Sequence, residues 1–303
     1  MALGWVEASA GPGARVVRSR RMRLGIASSV HAVDIVDDEG RLQRLVLKIC
    51  VRDDPSEPDQ AGREATILRL VGAASLPVPR LLAVDREGAS CGMPALLMTR
   101  LDGHAVLRPR RLSAWIRGLA ELLPRIHSIP ANPEALGSYE TYGIPPDAAP
   151  PPSTSQPEAW LEAIARVAGP HPEEPACFIH RDFHPGNVLW VGARTSGVVD
   201  WLQGCWGPPA ADVGHCRWNL WYLHGREAAD AFLAEYRHLA PHDPPYDPYW
   251  DLAAALGGHS LRFVHGDRRS LEVAEEIVAA AAARQGLIYS TGSPNRAPSL
   301  KRT

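Results

Sequence analysis

The chain has 303 residues, 45% of them hydrophobic and 22% charged, which is enough apolar material for the packed cores of about two domains. Its formal net charge of −2 gives no reason to expect a nucleic acid or an anionic membrane as a partner. The five cysteines show no paired spacing, and residues 1–23 contain no apolar run long enough for a signal peptide or a membrane helix. We therefore expect reduced thiols in a cytoplasmic protein.

The first hundred residues are predicted to be rich in β-structure. Short runs of β-branched and other apolar residues predict strands, and a polar turn, Asp37-Asp38-Glu39-Gly40, separates two of them. These strands cover 14–17, 30–36, 43–49 and 95–98. The arginines between positions 15 and 23 alternate with apolar residues, which predicts an exposed strand face. Apolar residues at helical spacing predict one helix over 60–71.

Beyond Gly103 the pattern becomes mainly helical. Helices are predicted over 112–128, 157–168, 209–223, 226–239, 249–265 and 271–285. They are interrupted by a hairpin of the apolar segments 188–191 and 197–199. The proline-rich stretch 145–156 is predicted to be a mobile excursion and the tail from about 290 to be disordered. We place the boundary near 100–103, giving an N-terminal part, 1–100, and a C-terminal part, 101–303.

The hairpin is flanked by the most informative residues of the chain. His180-Arg181-Asp182 precedes it with Asn187 five residues after the aspartate, and Asp200 follows it. This matches the catalytic-loop spacing H-R-D-x-x-x-x-N of phosphoryl-transfer enzymes. In such a set one carboxylate orients the attacking hydroxyl and accepts its proton, while two further oxygen ligands hold Mg²⁺ against nucleotide phosphates.

The lysine count gives an independent indication. The chain has 30 arginines and only two lysines, and one of those, Lys301, lies in the tail. The other, Lys48, stands between apolar residues near the end of a predicted strand. A compact ammonium that reaches the α- and β-phosphates of a nucleotide accounts for this lysine better than an exposed position does. Glu64, near the start of the predicted 60–71 helix, is the candidate carboxylate that holds Lys48 in place.

Together these residues resemble the aminoglycoside phosphotransferase family of small-molecule kinases, over about residues 24–215. The resemblance implies an α+β, bilobal protein-kinase-like fold with a small β-rich N-lobe and a larger, mainly helical C-lobe. It implies ATP and Mg²⁺ as cofactors, Asp182 as catalytic base, Asn187 and Asp200 as metal ligands, and Lys48 with Glu64 as the phosphate-anchoring pair. Residues 95–103 resemble the hinge strand, where the backbone of Thr99 to Leu101 would bind adenine.

Two other segments match the family less directly. The stretch 24–29 lies where a loop would cover the phosphates, and it has one glycine only. Backbone N–H groups of Ala27 to Ser29, or the hydroxyls of Ser28 and Ser29, are the expected phosphate contacts. Residues 207–212 resemble the segment that opens the next helix, where Asp212 is expected to cap that helix and to brace the catalytic loop.

The catalytic loop departs from the family at one position. Arg181 stands where the family most often has glycine, and we assign it no catalytic role. His180 is expected to pack and to form hydrogen bonds within the loop. His184 has two open interpretations, in which it either faces the substrate or caps the Pro185-Gly186 turn.

Three other classes of protein are alternatives to a small-molecule kinase. A protein kinase is disfavoured because seven residues between Asp200 and Pro208 leave no room for an activation segment, and no A-P-E follows. A metallohydrolase would use His180, Asp182 and His184 as ligands, which leaves Lys48 without a role. A catalytically silent nucleotide-binding protein usually loses the base or a metal ligand, and neither is missing here.

The acceptor is expected to be a hydroxyl of a small molecule, and the fold alone does not specify which. Residues 101–303 hold 18 Lys/Arg against 22 Asp/Glu, which favours a cationic, aminoglycoside-type antibiotic by a small margin. The alternatives are metabolic or other acceptors such as homoserine, choline, a sugar or a macrolide. Four tryptophans near the catalytic stretch (201, 206, 218 and 221) are interpreted either as a cation–π pocket or as core. No oligomeric state is predicted.

Overall fold

The computed structural model describes residues 1–22, 28–50, 59–145, 148–257 and 267–291, with the backbone alone for 284–291. The chain divides into two compact units. One is formed by Met1–Tyr139 and Pro175–Asp243, and the other by Glu140–Glu174 and Pro244–Thr303. These units are not the two lobes expected from the sequence, and the lobe boundary near residues 100–103 stays a prediction. No described helix has both the length and the apolar character needed to cross a membrane.

The first unit begins with a helix and an antiparallel sheet in the order β1-β2-β3-β5-β4. Its first elements are α1 (Ala2–Ala10), β1 (Arg15–Arg21), β2 (Ser28–Val36), β3 (Leu42–Cys50), α2 (Gln60–Val71), β4 (Leu81–Asp85) and β5 (Ala95–Thr99). The helix α2 and the β-rich character were predicted, whereas α1 and β4 were not. The exposed arginines of β1 lie on an edge strand, as expected, and Arg23 lies outside the described residues.

Strand alternation decides what each face of this sheet contacts. Leu45 and Leu47 of β3 are buried in an apolar cluster that includes Val6 of α1. The next position, Lys48, points to the opposite face because successive side chains of a strand alternate. Lys48 is paired across the sheet with Val30 and Leu96, so the lysine lies on a central strand and is buried.

The remaining elements of the first unit are short strands and helices around the catalytic stretch. They are β6 (His104–Ala105), α3 (Leu112–Ala120), α4 (Leu122–His127), α5 (Pro133–Leu136), β7 (Cys177–Ile179), a 3₁₀ turn (Pro185–Asn187), β8 (Val188–Val191), β9 (Arg194–Val198), β10 (Cys205–Gly207), α7 (Pro209–His224) and α8 (Arg226–Leu239). β6, β8 and β9 form one small sheet, and β7 pairs with β10 in another. The predicted hairpin is present as β8 and β9, and the predicted helices 209–223 and 226–239 are present as α7 and α8.

The predicted single helix over 112–128 is wrong, since the chain forms α3 and α4 with Glu121 between them. Pro124 gives the physical reason. It has no N–H to donate to the carbonyl four residues earlier, and its ring crowds that carbonyl. The hydrophobic spacing continues through the break, so periodicity alone reads the two helices as one.

The described residues of the second unit form three helices: α6 (Pro157–Ala168), α9 (Tyr249–Leu256) and α10 (Arg268–Thr291). The helix α6 matches its predicted bounds. The predicted 249–265 helix is seen as far as Leu256, and its remainder is largely outside the described residues. The predicted 271–285 helix is longer at both ends. Two residues of the 145–156 stretch and the tail after Thr291 also lie outside the described part, so their predicted mobility stays a prediction.

Candidate active site

Lys48 lies between two carboxylates. Its Nζ atom is 2.7 Å from Oε2 and 2.9 Å from Oε1 of Glu64, and 2.8 Å from Oδ1 of Asp200. Glu64 is buried on the first turns of α2, whereas the Asp200 side chain remains 42% exposed. The ammonium therefore joins the N-terminal sheet to the segment after β9. Burial by itself lowers the pKa of Lys48, but the charges of Glu64 and Asp200 outweigh it and raise the pKa above its usual value, so the lysine is charged.

The β8–β9 hairpin brings Asn187 and Asp200 together. Val188 pairs with Val198, and the Val199 N–H donates to the carbonyl of Asn187 at 2.9 Å. Residues that precede one strand of a hairpin and follow the other must lie side by side. The sequence separation of Asn187 and Asp200 is therefore closed by the hairpin itself. Asp200 adopts a left-handed backbone, φ 65°, which is uncommon for a residue other than glycine.

Asp182 is held by donors on both of its carboxylate oxygens. Asn187 Nδ2 donates to Oδ2 at 3.0 Å and to the Asp182 carbonyl at 2.9 Å. His215 Nε2, from α7, lies 3.1 Å from Oδ1. Burial alone raises the pKa of Asp182, but the hydrogen bond and charge of His215 outweigh it and hold the pKa well below its usual range. The carboxylate is thus ionised, as a group that takes the proton of a hydroxyl must be.

Asp212 braces the backbone of the catalytic loop from α7. Its carboxylate accepts the N–H of His180 at 2.8 Å and that of Arg181 at 2.6 Å, and His127 Nε2 lies 3.2 Å away. The predicted bracing is therefore present in the structure. The predicted capping of α7 is wrong: the residue before that helix is Pro208, and no side chain caps it. Asp212 is the fourth residue of α7, too far along the helix for a capping position.

His180 and His184 both have structural hydrogen bonds. His180 is fully buried; Nδ1 accepts the N–H of Asp182 at 3.3 Å, and Nε2 lies 3.0 Å from the Val199 carbonyl. His184 Nδ1 accepts the N–H of Gly186 at 3.1 Å and so caps the 3₁₀ turn. Burial lowers the pKa of His184 to about 4, so its ring is neutral at pH 7. Of the two interpretations of His184, the geometry favours the cap.

The backbone conformation of Arg181 explains why the family most often has glycine at this position. Its φ is 67°, in the left-handed region that glycine adopts without cost and other residues rarely occupy. The guanidinium donates to Gln203 Oε1 at 2.9 Å and lies 5.6 Å from the centre of the Tyr139 ring. These contacts lie within the loop surroundings, in agreement with assigning Arg181 no catalytic role.

The proposed nucleotide contacts lie on the sheet. Ser28 and Ser29 begin β2, and the Ser29 hydroxyl is 2.9 Å from His31 Nε2. The rest of the expected phosphate loop, Leu24 to Ala27, lies outside the described residues. At the hinge, the N–H of Thr99 donates to the backbone carbonyl of Arg80, and the N–H of Arg100 donates to the backbone carbonyl of Arg44. Two of the three expected hinge amides are therefore used within the protein, which makes the Leu101 amide the candidate donor to adenine.

Asn187 and Asp200 together offer a carboxamide and a carboxylate oxygen, the ligand types that Mg²⁺ prefers. Nδ2 of Asn187 already donates to Asp182, so Oδ1 is its candidate metal-binding atom. The donor set thus suits a magnesium ion shared with phosphates. Within the described residues no three His, Cys, Asp or Glu side chains are grouped to hold a metal by themselves.

Comparison with known sequences agrees with this geometry. Residues 25–249 match the phosphotransferase enzyme family. The chain belongs to this family. The match includes Lys48, Glu64 and the whole segment from His180 to His215, and it covers most of the chain.

Three relatives of this chain are named as kinases of two different acceptors. A homoserine kinase of Rhodospirillum rubrum is 30% identical over 227 residues, which cover 68% of each chain. A streptomycin 6-kinase of Streptomyces griseus is 31% identical over 174 residues, which cover 54% of this chain and 52% of that one. Another homoserine kinase, from a Methylobacterium species, is 30% identical and is matched over 58% of its length. The chain thus matches about half to two thirds of these relatives.

Solved structures give the fold of the phosphotransferase. A thermostable mutant of aminoglycoside phosphotransferase APH(4)-Ia, in complex with AMP-PNP and hygromycin B, superimposes with a TM-score of 0.62 at 19% identity, covering 92% of this chain and 97% of that one. Macrolide 2′-phosphotransferase MphH from Brachybacterium faecium gives 0.54 at 15%, covering 91% and 97%. The predicted α+β, protein-kinase-like fold is confirmed, and the enzyme is a phosphotransferase.

His215 of this phosphotransferase site was not predicted from the sequence. Its signal was present: it follows Asp212 by three residues, on the same face of α7 and among apolar neighbours. The tryptophans near the catalytic stretch had two interpretations, as a pocket or as core. The structure buries Trp201, Trp218 and Trp221 in the core. Most of the proposed cation–π pocket is therefore core packing.

Proposed function

We propose that this phosphotransferase uses Mg-ATP to phosphorylate a hydroxyl of a small molecule, with Asp182 as the base that orients that hydroxyl. The observation that carries the proposal is the convergence of Lys48, Glu64 and Asp200 beside Asp182 and Asn187 in one compact unit. The AMP-PNP bound to the solved relative supports ATP as the donor.

Each side chain has a distinct part in the proposed reaction. Lys48, oriented by Glu64, reaches the α- and β-phosphates, and Ser28 and Ser29 contact phosphate oxygens. The Leu101 amide and the Thr99 backbone bind the adenine edge. Asn187 Oδ1 and Asp200 would hold Mg²⁺, which would supply positive charge against the phosphates of the nucleotide. Asp182 aligns the acceptor hydroxyl and takes its proton as the bond from that oxygen to the γ-phosphorus forms, while the bond from the γ-phosphorus to the bridging oxygen breaks and ADP leaves. Positioning and electrostatics then supply most of the rate.

We propose an aminoglycoside-type antibiotic as the acceptor, and antibiotic resistance as the consequence of its phosphorylation. The streptomycin 6-kinase relative, the hygromycin B complex of the solved structure and the acidic balance of residues 101–303 support it. Homoserine is the second candidate, because a homoserine kinase matches the longest part of the chain among the relatives described above. Five cysteines, all present as free thiols, support a reducing compartment such as the cytoplasm.

The acceptor proposal is tested by ADP release from Mg-ATP with purified protein. The panel contains streptomycin, hygromycin B, a macrolide, L-homoserine, choline and simple sugars. We expect the highest kcat/KM with an aminoglycoside. A higher kcat/KM with L-homoserine would replace the antibiotic by the metabolic acceptor and leave the reaction class unchanged. GTP in place of ATP reports the nucleotide preference in the same assay.

Asp182→Asn tests the base. We expect kcat to fall by at least about 100-fold, since a positioned general base contributes about 10² to 10⁴. Nucleotide affinity should change little, because Asp182 has no contact with Lys48 in this arrangement. The measurements are ADP release and the Kd of Mg-AMP-PNP by calorimetry. Wild-type turnover by this variant would remove Asp182 from the chemistry.

A further inference from the structure

His215 reaches the candidate base from a helix outside the catalytic loop. Its Nε2 atom lies 3.1 Å from Asp182 Oδ1, and its side chain is only 19% exposed. The other nearby imidazole, His184, has its Nε2 3.9 Å from Oδ2, beyond hydrogen-bond distance, and its Nδ1 caps the 3₁₀ turn. The two rings lie 5.8 Å apart. His215 is thus the imidazole that contacts the reacting carboxylate.

Helix α7 holds the catalytic loop at two points. Asp212 binds the loop backbone through the N–H groups of His180 and Arg181. His215, three residues later, lies on the same face of the helix and binds the Asp182 side chain. Because one rigid helix supplies both contacts, the position of the carboxylate is fixed relative to the backbone that carries it.

An aspartate carboxylate needs such help to keep its orientation. Rotation about its terminal torsion is broad and roughly two-fold, so the plane of the group is set by hydrogen bonds and hardly by the chain. Asn187 Nδ2 donates to Oδ2, and His215 Nε2 to Oδ1. Two donors on opposite oxygens define the plane, whereas one leaves it free to rotate. Each oxygen keeps a further lone pair for the acceptor hydroxyl.

We propose that His215 is a positioning residue, which fixes the plane of the Asp182 carboxylate so that the acceptor hydroxyl is aligned for attack; this rests on the function proposed above. The role requires an N–H at the position of Nε2 and no proton transfer by the ring. The proposed role therefore predicts that kcat depends on the presence of an N–H donor at this position, and not on the imidazole ring itself.

Two substitutions separate the donor from the packing. His215→Phe keeps an aromatic ring and removes the N–H, while His215→Gln places an amide N–H near the Nε2 position. We expect kcat for ADP release from Mg-ATP, with the best acceptor of the panel, to fall about 10- to 100-fold in the Phe variant, since misplacement by about 1 Å costs that much. The Gln variant should recover most of the loss, and KM for ATP should change by less than about twofold in both.

Two controls accompany these variants. His238→Phe, at an exposed histidine of α8, should keep wild-type kcat. Thermal unfolding of each variant shows that the fold is intact. If His215→Phe keeps wild-type kcat, or if His215→Gln is as slow as His215→Phe while both are folded, the positioning role is refuted.

A double-mutant cycle distinguishes this inference from the proposed function. In an Asp182→Asn background, His215→Phe should have almost no further effect, because His215 acts through that carboxylate. If Asp182→Asn itself keeps the wild-type rate, the proposed function fails. If Asp182→Asn is inactive and the loss caused by His215→Phe persists undiminished in residual turnover, only the positioning role fails.

Discussion

At the scale of single residues, the site combines groups that would be unfavourable separately. Lys48 is buried, and it remains charged because Glu64 and Asp200 lie within hydrogen-bond distance. Glu64 is buried as well, and removal of its partner leaves an uncompensated charge, which is more costly than removal of a complete pair. The pair is therefore a requirement for the local structure, in addition to its proposed role in phosphate binding.

Lys48→Met should reduce both activity and stability. We expect a weaker apparent affinity for ATP or a much lower kcat, and a loss of about 3 kcal/mol in the free energy of unfolding. Adding Glu64→Gln should recover part of the stability, since the unpaired buried carboxylate is gone. Denaturant unfolding and ADP-release kinetics measure the two effects. Arg44→Met, on the same strand but exposed, is the control and should change neither by much.

Arg181 shows a residue-scale strain that the sequence did not reveal. Its φ of 67° disfavours a side chain, whereas glycine has no such penalty. Arg181→Gly and Arg181→Ala lose the same contacts with Gln203 and Tyr139, so they form a matched pair. We expect the Gly variant to be the more stable by about 0.5–1 kcal/mol, after allowing for the larger entropy loss of glycine on folding. Equal stabilities in urea unfolding would contradict a strained backbone at this position.

At the scale of elements, Asp85 organises the loop between β4 and β5. Its two carboxylate oxygens accept four backbone N–H groups, from Gly88, Ala89, Ser90 and Cys91. Desolvation alone raises the pKa of Asp85, but these hydrogen bonds outweigh it and lower the pKa below 3.8. A group whose pKa is lowered on folding stabilises the protein above its unfolded pKa and loses that contribution as the pH falls through the folded value.

Asp85→Asn should therefore be destabilising in a pH-dependent way. An amide oxygen accepts two of the four N–H groups, and its NH₂ accepts none. We expect a loss of about 1 kcal/mol at pH 7, kept small by the exposure of the loop. The difference from wild type should shrink as the pH falls below about 4. Urea unfolding of both proteins at a series of pH values tests this, and a difference that is constant with pH would show that the carboxylate charge plays no part.

At the same scale, two short-range rules worked and one failed. Apolar spacing predicted α2, which begins at Gln60 as expected, and in the structure Asp59 caps it by accepting the N–H of Gly62. The hairpin of β8 and β9 follows from two apolar runs and a turn. The break between α3 and α4 was missed because the apolar spacing continued across Pro124, although the missing N–H of proline was visible in the sequence.

At the scale of the whole molecule, the candidate site lies within one of the two compact units, Met1–Tyr139 with Pro175–Asp243. Lys48 from the N-terminal sheet and Asp200 from the segment after β9 belong to that same unit, although 152 residues separate them. A nucleotide bound by both segments stabilises the folded state only, so its binding adds to the free energy of unfolding.

Mg-AMP-PNP should raise the Tm of the protein. At about 100 times the Kd, binding contributes about 2.7 kcal/mol, which corresponds to a shift of several degrees. The shift should be much smaller with EDTA in place of Mg²⁺ and nearly absent in Lys48→Met. Zn²⁺ without nucleotide should give no comparable shift. A zinc-dependent stabilisation, with none from Mg-AMP-PNP, would favour the hydrolase alternative.

The sequence by itself was sufficient to predict the candidate site: Asp182, Asn187 and Asp200 at the spacing of kinase motifs, and Lys48 on a strand with Glu64 on a helix. These signals are local, because a loop, a hairpin and a strand each carry their residue types at short, fixed intervals. Only the tertiary structure decided that His215 contacts Asp182, that Arg181 has a left-handed backbone and that Asp212 does not cap α7. Such contacts depend on how separate elements pack, and no periodicity within one segment encodes a partner on another.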